Sequence, residues 1–142
     1  MKDTTPQDTY TIRPIGMVRS ELKRREESPK QGHEGAPDAW LEIEPEFADG
    51  LDGITTGADI LVLTWLHKSR RDILKLHPRN NPQIPLRGVF ATRSPNRPNP
   101  IGLHPVTVRA VESRRIKVGP LEAIDGTPIL DIKPVPGSGE KA

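Results

Sequence analysis

Three prolines in close succession, Pro95, Pro98 and Pro100, exclude a helix from the stretch Arg87–Gly102 (RGVFATRSPNRPNPIG). Each removes an N–H donor and pushes the residue before it into an extended conformation. The same punctuation recurs along the chain, with 16 prolines and 12 glycines in 142 residues and only 33% hydrophobic side chains. Such a pattern favours many short strands joined by turns over long helices. A proline-rich loop also loses less entropy on ordering, so Arg93, Asn96, Arg97 and Asn99 can be held in fixed directions. Arginine's planar fork of donors suits carboxylate or phosphate. The same residues also describe a stiff surface loop with solvated arginines.

The chain is long enough for one domain with a real core. Read in order, residues 1–9 form a polar, flexible arm, and Tyr10–Val18 a first strand with a bulge or edge near Pro14. Ala39–Pro45 alternates as a half-buried strand, and Pro45–Leu51 forms a helical turn ended by glycines. Ile60–Leu66 (ILVLTWL) is the most apolar run and predicts a strand buried on both faces, delivering His67 and Lys68 at its end. Ser69–Leu76 suggests a short helix capped by Ser69, and Val89–Phe90 a strand-like start to the proline loop. Val106–Val111 and Arg115–Val118 form a hairpin, and Ile129–Ile132 follows the turn signal Asp125–Gly126. Trp40 and Trp65 are assigned to the core, and residues 135–142 to a flexible tail. About seven strands with few short helices predict a mainly β, compact antiparallel barrel-like single domain.

Charge is unevenly distributed behind a net +2. Residues 31–60 carry eight acids and no Lys or Arg, whereas residues 67–97 carry eight Lys or Arg and the single acid Asp72. The basic segment could attract a polyanion such as RNA. It could equally pair with the acidic segment, within a subunit or across a dimer. The absence of cysteine removes thiol nucleophiles, disulfides and thiolate metal sites, and fits a cytoplasmic protein. No apolar run is long enough to span a membrane. The four histidines, at 33, 67, 77 and 104, lack metal-ligand spacing. No GxxxxGK, GxSxG or HExxH motif occurs, and the strand pattern argues against a doubly wound (Rossmann) nucleotide fold.

The combination is more specific than its parts. The segment GVFATRSPNRPNPIGL, preceded by a strand ending in WLH and followed by DGTPILDIKP, resembles the TsaA-like (YaeB-like) family, whose characterised members are TrmO-type methyltransferases. The resemblance runs from about Tyr10 to Pro134 and marks residues 10–134 as a TsaA-like domain. It implies a non-Rossmann β-barrel that binds S-adenosyl-L-methionine as a homodimer. It also implies methyl transfer to the exocyclic nitrogen of threonylcarbamoyladenosine, next to the tRNA anticodon. The alternatives are a barrel binding the same cofactor with a different substrate, or a non-catalytic sensor or RNA-binding role.

Matched position by position, the resemblance implies cofactor contacts from Lys30, Gln31 and Gly32, from His67 and Lys68, from Arg93, and from Leu103. It implies the same for Ile124, Asp125, Gly126 and Thr127. Arg93, His67 and Asp125 are the catalytic candidates, with no metal. Arg97, together with Arg87, Arg79, Arg70 and Arg71, would meet the anticodon loop of tRNA. Larger family members carry a further C-terminal domain, and Val135 stands where a tyrosine is frequent.

Overall fold

A computed structural model describes residues 8–30 and 32–137. Eight strands occur among them: β1 (Gly16–Arg19), β2 (Ala39–Ile43), β3 (Asp59–Trp65), β4 (Lys75–Leu76), β5 (Arg87–Gly88), β6 (Ile101–Val111), β7 (Arg115–Gly119) and β8 (Pro128–Pro134). Six close into an antiparallel barrel in the order β1-β2-β7-β6-β3-β8, and β8 returns to β1. β4 and β5 form a separate ribbon beside it. The helical segments are all short 3₁₀ turns. The mainly β, barrel-like architecture is therefore the one expected from the punctuation.

Alternation builds the core. Ala39, Leu41 and Ile43 of β2 point inward, as do Ile60 and Val62 of β3, Val106 and Val108 of β6, and Ile116 and Val118 of β7. Val18 and Ile129 complete the interior from the closing strands. Fully burying one such side chain contributes about 1.5–3 kcal/mol.

Several expectations change. The first strand begins at Gly16, not Tyr10, and Tyr10 and Ile12 are exposed. Pro14 has no N–H to offer a ladder, so pairing starts after it, with Ile15 N–H donating to the Ile129 carbonyl at 2.8 Å. β3 is fully buried on one face only, with Leu61, Leu63 and Trp65 half-buried. Ser69–Leu76 is not a helix. Its backbone bonds elsewhere: Arg70 N–H donates to Asn96 Oδ1 at 2.9 Å, and the Leu74 carbonyl accepts from Val89 N–H at 2.9 Å. Val89 and Phe90 lie in a 3₁₀ turn, with the strand residues just before them.

β6 also starts earlier than Val106. Pro105 sits within it, opposite Leu61, and the strand runs back to Ile101 because β3 offers partners along that whole length. Neither tryptophan is a core residue. Both are half-buried on the outer surface under arginines, Arg115 lying 3.9 Å from the Trp40 ring centroid and Arg71 5.1 Å from that of Trp65. Of the arm and tail expected to be flexible, residues 1–7 and 138–142 lie outside the described residues.

The β1–β2 contact is close enough to require a glycine. A Cβ on Gly16 would stand 2.0 Å from the Glu42 carbonyl oxygen. Gly16→Ala is expected to destabilise the protein by about 1–3 kcal/mol. Gly50→Ala, where a Cβ meets nothing within 4 Å, should stay within about 0.5 kcal/mol of wild type. Urea unfolding of both variants checks the pair, and equal stabilities would refute the close-contact argument.

Candidate functional site

One end of the barrel gathers the C-terminus of β3, the N-terminus of β6 and the connections β1–β2 and β7–β8. The proline loop crosses the same end. Together they enclose a cleft of about 510 Å³, within the ~300–1,000 Å³ usual for small-molecule sites.

The loop owes its shape to side chains that bond its own backbone. Thr92 Oγ1 donates to the Val89 carbonyl, Ser94 N–H donates to Thr92 Oγ1, and Asn96 N–H donates to Ser94 Oγ. Arg97 donates to the carbonyls of Thr92 and Ser94, at 3.2 and 2.8 Å. Arg71 ties the loop's far side through the Pro98 carbonyl and Asn99 Oδ1. Pro100 is buried, and its carbonyl accepts from Leu66 N–H. Of the two arginines that flank Pro95, Arg97 is bound by these contacts, while Arg93 has no side-chain partner among the described residues.

Of the residues singled out in the sequence, Lys30, His67, Lys68, Arg93, Leu103, Ile124 and Thr127 line the cleft. Arg97 lines it too, so Arg93 and Arg97 share one cavity. Gln31 lies outside the described residues. Gly32 and Gly126 do not line the cleft, although Gly32 packs against the Pro120 carbonyl and Glu122.

Asp125 faces a separate, shallower depression with Ser20 and Lys23. Its carboxylate accepts from Ser20 N–H at 2.9 Å and pairs with Lys23 at 3.2 Å. Burial pushes its pKa up, but the Ser20 and Lys23 bonds, with Arg19 nearby, outweigh it and hold the carboxyl below its ordinary value.

Half of the basic segment is committed among the described residues. Arg70 pairs bidentately with Asp72 and Arg79 with Glu34, and each arginine lowers its partner's pKa chiefly through the side-chain hydrogen bond. Arg87 is exposed without a side-chain partner among the described residues. The acidic segment finds most of its cations elsewhere, in Arg13, Arg19 and Arg109.

Three cleft-side residues escaped the sequence reading. His104 is 3% exposed, with its Nε2 2.7 Å from Thr64 Oγ1 and its Nδ1 2.8 Å from Glu122 Oε2. Thr64 is fully buried, while His104 and Glu122 line the cleft. Gly102 is required above them, since a Cβ there would stand 2.6 Å from both His104 Nε2 and Thr64 Oγ1. The available signal was alternation: Gly102, His104, Val106 and Val108 share the inward face of one strand. Nothing in the local sequence marks Glu122.

Residues 17–137 match the family described as tRNA-methyltransferase O N-terminal domain. The chain belongs to this family. It is 44% identical, over 86% of its length and 86% of the relative's, to an S-adenosyl-L-methionine-binding protein of Archaeoglobus fulgidus. It is likewise 44% identical, over 87% of its length and 88% of the relative's, to a protein named "Probable S-adenosyl-L-methionine-binding protein" in Methanothermobacter thermautotrophicus. A crystal structure of TrmO from Pseudomonas aeruginosa superposes with a TM-score of 0.72 at 28% identity, covering 95% of this chain and 60% of that one. A second TrmO structure, also from P. aeruginosa, gives 0.74 at 31% identity, covering 96% and 60%. The chain thus spans about 60% of the length of these TrmO chains.

The Asp125 bonds carry a pH signature. A carboxyl with a depressed folded pKa stabilises the fold above its unfolded value, about 3.9, and that stability is lost as pH falls through the folded value. Asp125→Asn should therefore reduce the stability lost by the wild type between neutral pH and pH 3. Urea midpoints at the two pH values measure this, and an unchanged difference would show that the Asp125 bonds carry no pH-dependent stability.

Proposed function

We propose that this protein binds S-adenosyl-L-methionine in the barrel-mouth cleft and methylates the exocyclic nitrogen of threonylcarbamoyladenosine beside a tRNA anticodon. The observation that carries the reading is a ligand-sized cleft in which three cations, Lys30, Lys68 and Arg93, are unspent among the described residues. Among the described residues, the side chains of Lys30, His67, Lys68 and Arg93 line it and make no bond to the protein. Relatives that match nearly their whole length are named for binding S-adenosyl-L-methionine, and the fold neighbours are TrmO structures.

The residues present fit that group. Ile101, Leu103 and Ile124 give an apolar wall for a flat base, and the free cations suit a carboxylate. Bound S-adenosyl-L-methionine would supply an activated methyl group, leaving the protein to bind, orient and exclude water. Phe90, Ile101 and Leu103 give the cleft wall apolar surface that a seated ligand would cover. Arg93 and Lys68 hold anionic groups of the ligands, and the His67 imidazole takes the proton released by the attacking nitrogen. Asp125, turned towards Lys23, takes no part in that transfer. Arg87 extends the basic rim towards the tRNA backbone. Homodimerisation in the cytoplasm belongs to the same reading, and exposed Leu74, Leu86 and Phe90 supply apolar surface for it.

Purified protein should bind S-adenosyl-L-methionine by calorimetry and methylate tRNA carrying the modified adenosine, with activity falling as salt rises. Arg93→Ala should lower kcat/KM about ten- to a hundredfold, the range for losing a hydrogen bond to a charged group. No cofactor binding at millimolar concentration would remove the proposal. An unchanged level of the methylated nucleoside in tRNA from a deletion strain would assign the enzyme another substrate.

A further inference from the structure

Glu122 is the one acid among the residues lining the cleft, surrounded by Arg25, Lys30, Lys68, Arg93 and Arg97. None of these comes within ion-pairing distance of it; its carboxylate's one hydrogen-bond partner among the described residues is the imidazole of His104. The cations are held off by their own bonds or by direction. Arg25 donates to the Lys68 carbonyl and Arg97 to the proline loop.

The carboxylate is also fixed. With Glu122 ionised, His104 Nδ1 carries its proton and donates to Oε2, and the neutral ring accepts the Thr64 hydroxyl at Nε2. Thr64 is locked in β3 and His104 in β6, so the carboxylate is aimed by two barrel strands. Its second oxygen, Oε1, makes no hydrogen bond among the described residues. Residue 32 is glycine, and a Cβ there would stand 3.2 Å from Oε1, crowding it.

A partly desolvated carboxylate with a free oxygen, held rigid and denied a protein cation, has a vacancy for a positive ligand group. We propose that Glu122 is the counter-charge for the sulfonium of S-adenosyl-L-methionine, with His104 and Thr64 as positioning residues behind it. This rests on the cofactor reading above. A sulfonium has no N–H or O–H to donate, so attraction to a carboxylate is its chief polar contact. The charge vanishes when the methyl leaves and the product is a neutral thioether. A fixed anion at this point therefore distinguishes fresh cofactor from spent, while groups common to both ligands, such as the adenine and the amino-acid end, bind elsewhere in the cleft.

The test compares calorimetric affinities for S-adenosyl-L-methionine and S-adenosyl-L-homocysteine in wild type, Glu122→Gln and Thr64→Val. Glutamine keeps an oxygen to accept from His104 and removes only the charge. Glu122→Gln should weaken the sulfonium ligand about tenfold, equivalent to about 1.4 kcal/mol, and leave the thioether ligand within about threefold. Thr64→Val keeps the charge and should shift the ratio less. Thermal melts report folding, and a variant that does not fold is replaced by Glu122→Asp, which should retain the preference for the charged ligand. An unchanged ratio in Glu122→Gln, or equal weakening of both ligands, would overturn the assignment. Failure of the wild type to bind either ligand would instead defeat the cofactor reading itself.

Discussion

The register in which β3 lies between β6 and β8 governs the open end of this barrel. Thr64 stands opposite Gly102 on one side and Ile129 on the other. That pairing puts the Thr64 hydroxyl next to His104, two residues along β6 on the same face. It also sets where β3 ends, and so where Leu66, His67 and Lys68 enter the rim. A one-residue slip would turn each of these side chains to the opposite face. Against β8 the register shifts between Leu63 and Thr64, where Leu130 is the extra residue of β8.

Around that frame, a cation's availability is decided by what else it can reach. Surface arginines paired with carboxylates gain little stability, but the pairing spends their charge. Arg70 and Arg79 are spent on acids, Arg71 and Arg97 on carbonyls, and Arg71 also on the Trp65 ring. The basic segment that stood out as one block in the sequence is thus divided. Half of it, Arg70, Arg71, Arg79 and Arg97, is engaged by other groups, whereas Lys68 and Arg93 face the cleft with no side-chain partner among the described residues. Counting charges along the chain could not separate the two groups, because Arg71 and Arg79 find their partners 27 to 45 residues away in sequence.

The barrel was legible because it follows from local rules. Alternation in Ala39–Ile43 and the apolar run at Ile60–Leu66 gave strands close to those observed, and frequent prolines and glycines excluded long helices. The errors are cases where tertiary contacts overrode local preference. Ser69–Leu76 has helix-compatible residues, yet its backbone groups bond to Asn96 and Val89 instead of to each other. The strand expected from Val106 runs back through Pro105 to Ile101, paired with β3 along that length. Trp40 and Trp65 were assigned inward by hydrophobicity, when alternation beside Leu41 and Thr64 already pointed them out. The family motif located the cleft through His67, Lys68, Arg93 and Leu103. It could not indicate that the Asp125 carboxylate turns to Lys23 and Ser20, since that depends on the fold of the β1–β2 connection.

The Thr64–His104–Glu122 network is hard to account for by stability. Valine has nearly the shape of threonine, and at a fully buried strand position it would complete the apolar face formed by Ile60 and Val62. A hydroxyl there, and an imidazole beside it, each cost free energy to desolvate unless fully bonded. The network meets that demand internally at Thr64 and His104, then reaches the cleft wall with one carboxylate oxygen unengaged by the described residues. Polar groups carried through a barrel core to one exposed acceptor stabilise little by themselves. What the arrangement does achieve is direction: it connects the stiffest part of the fold to a single negative charge in a cleft of positive ones.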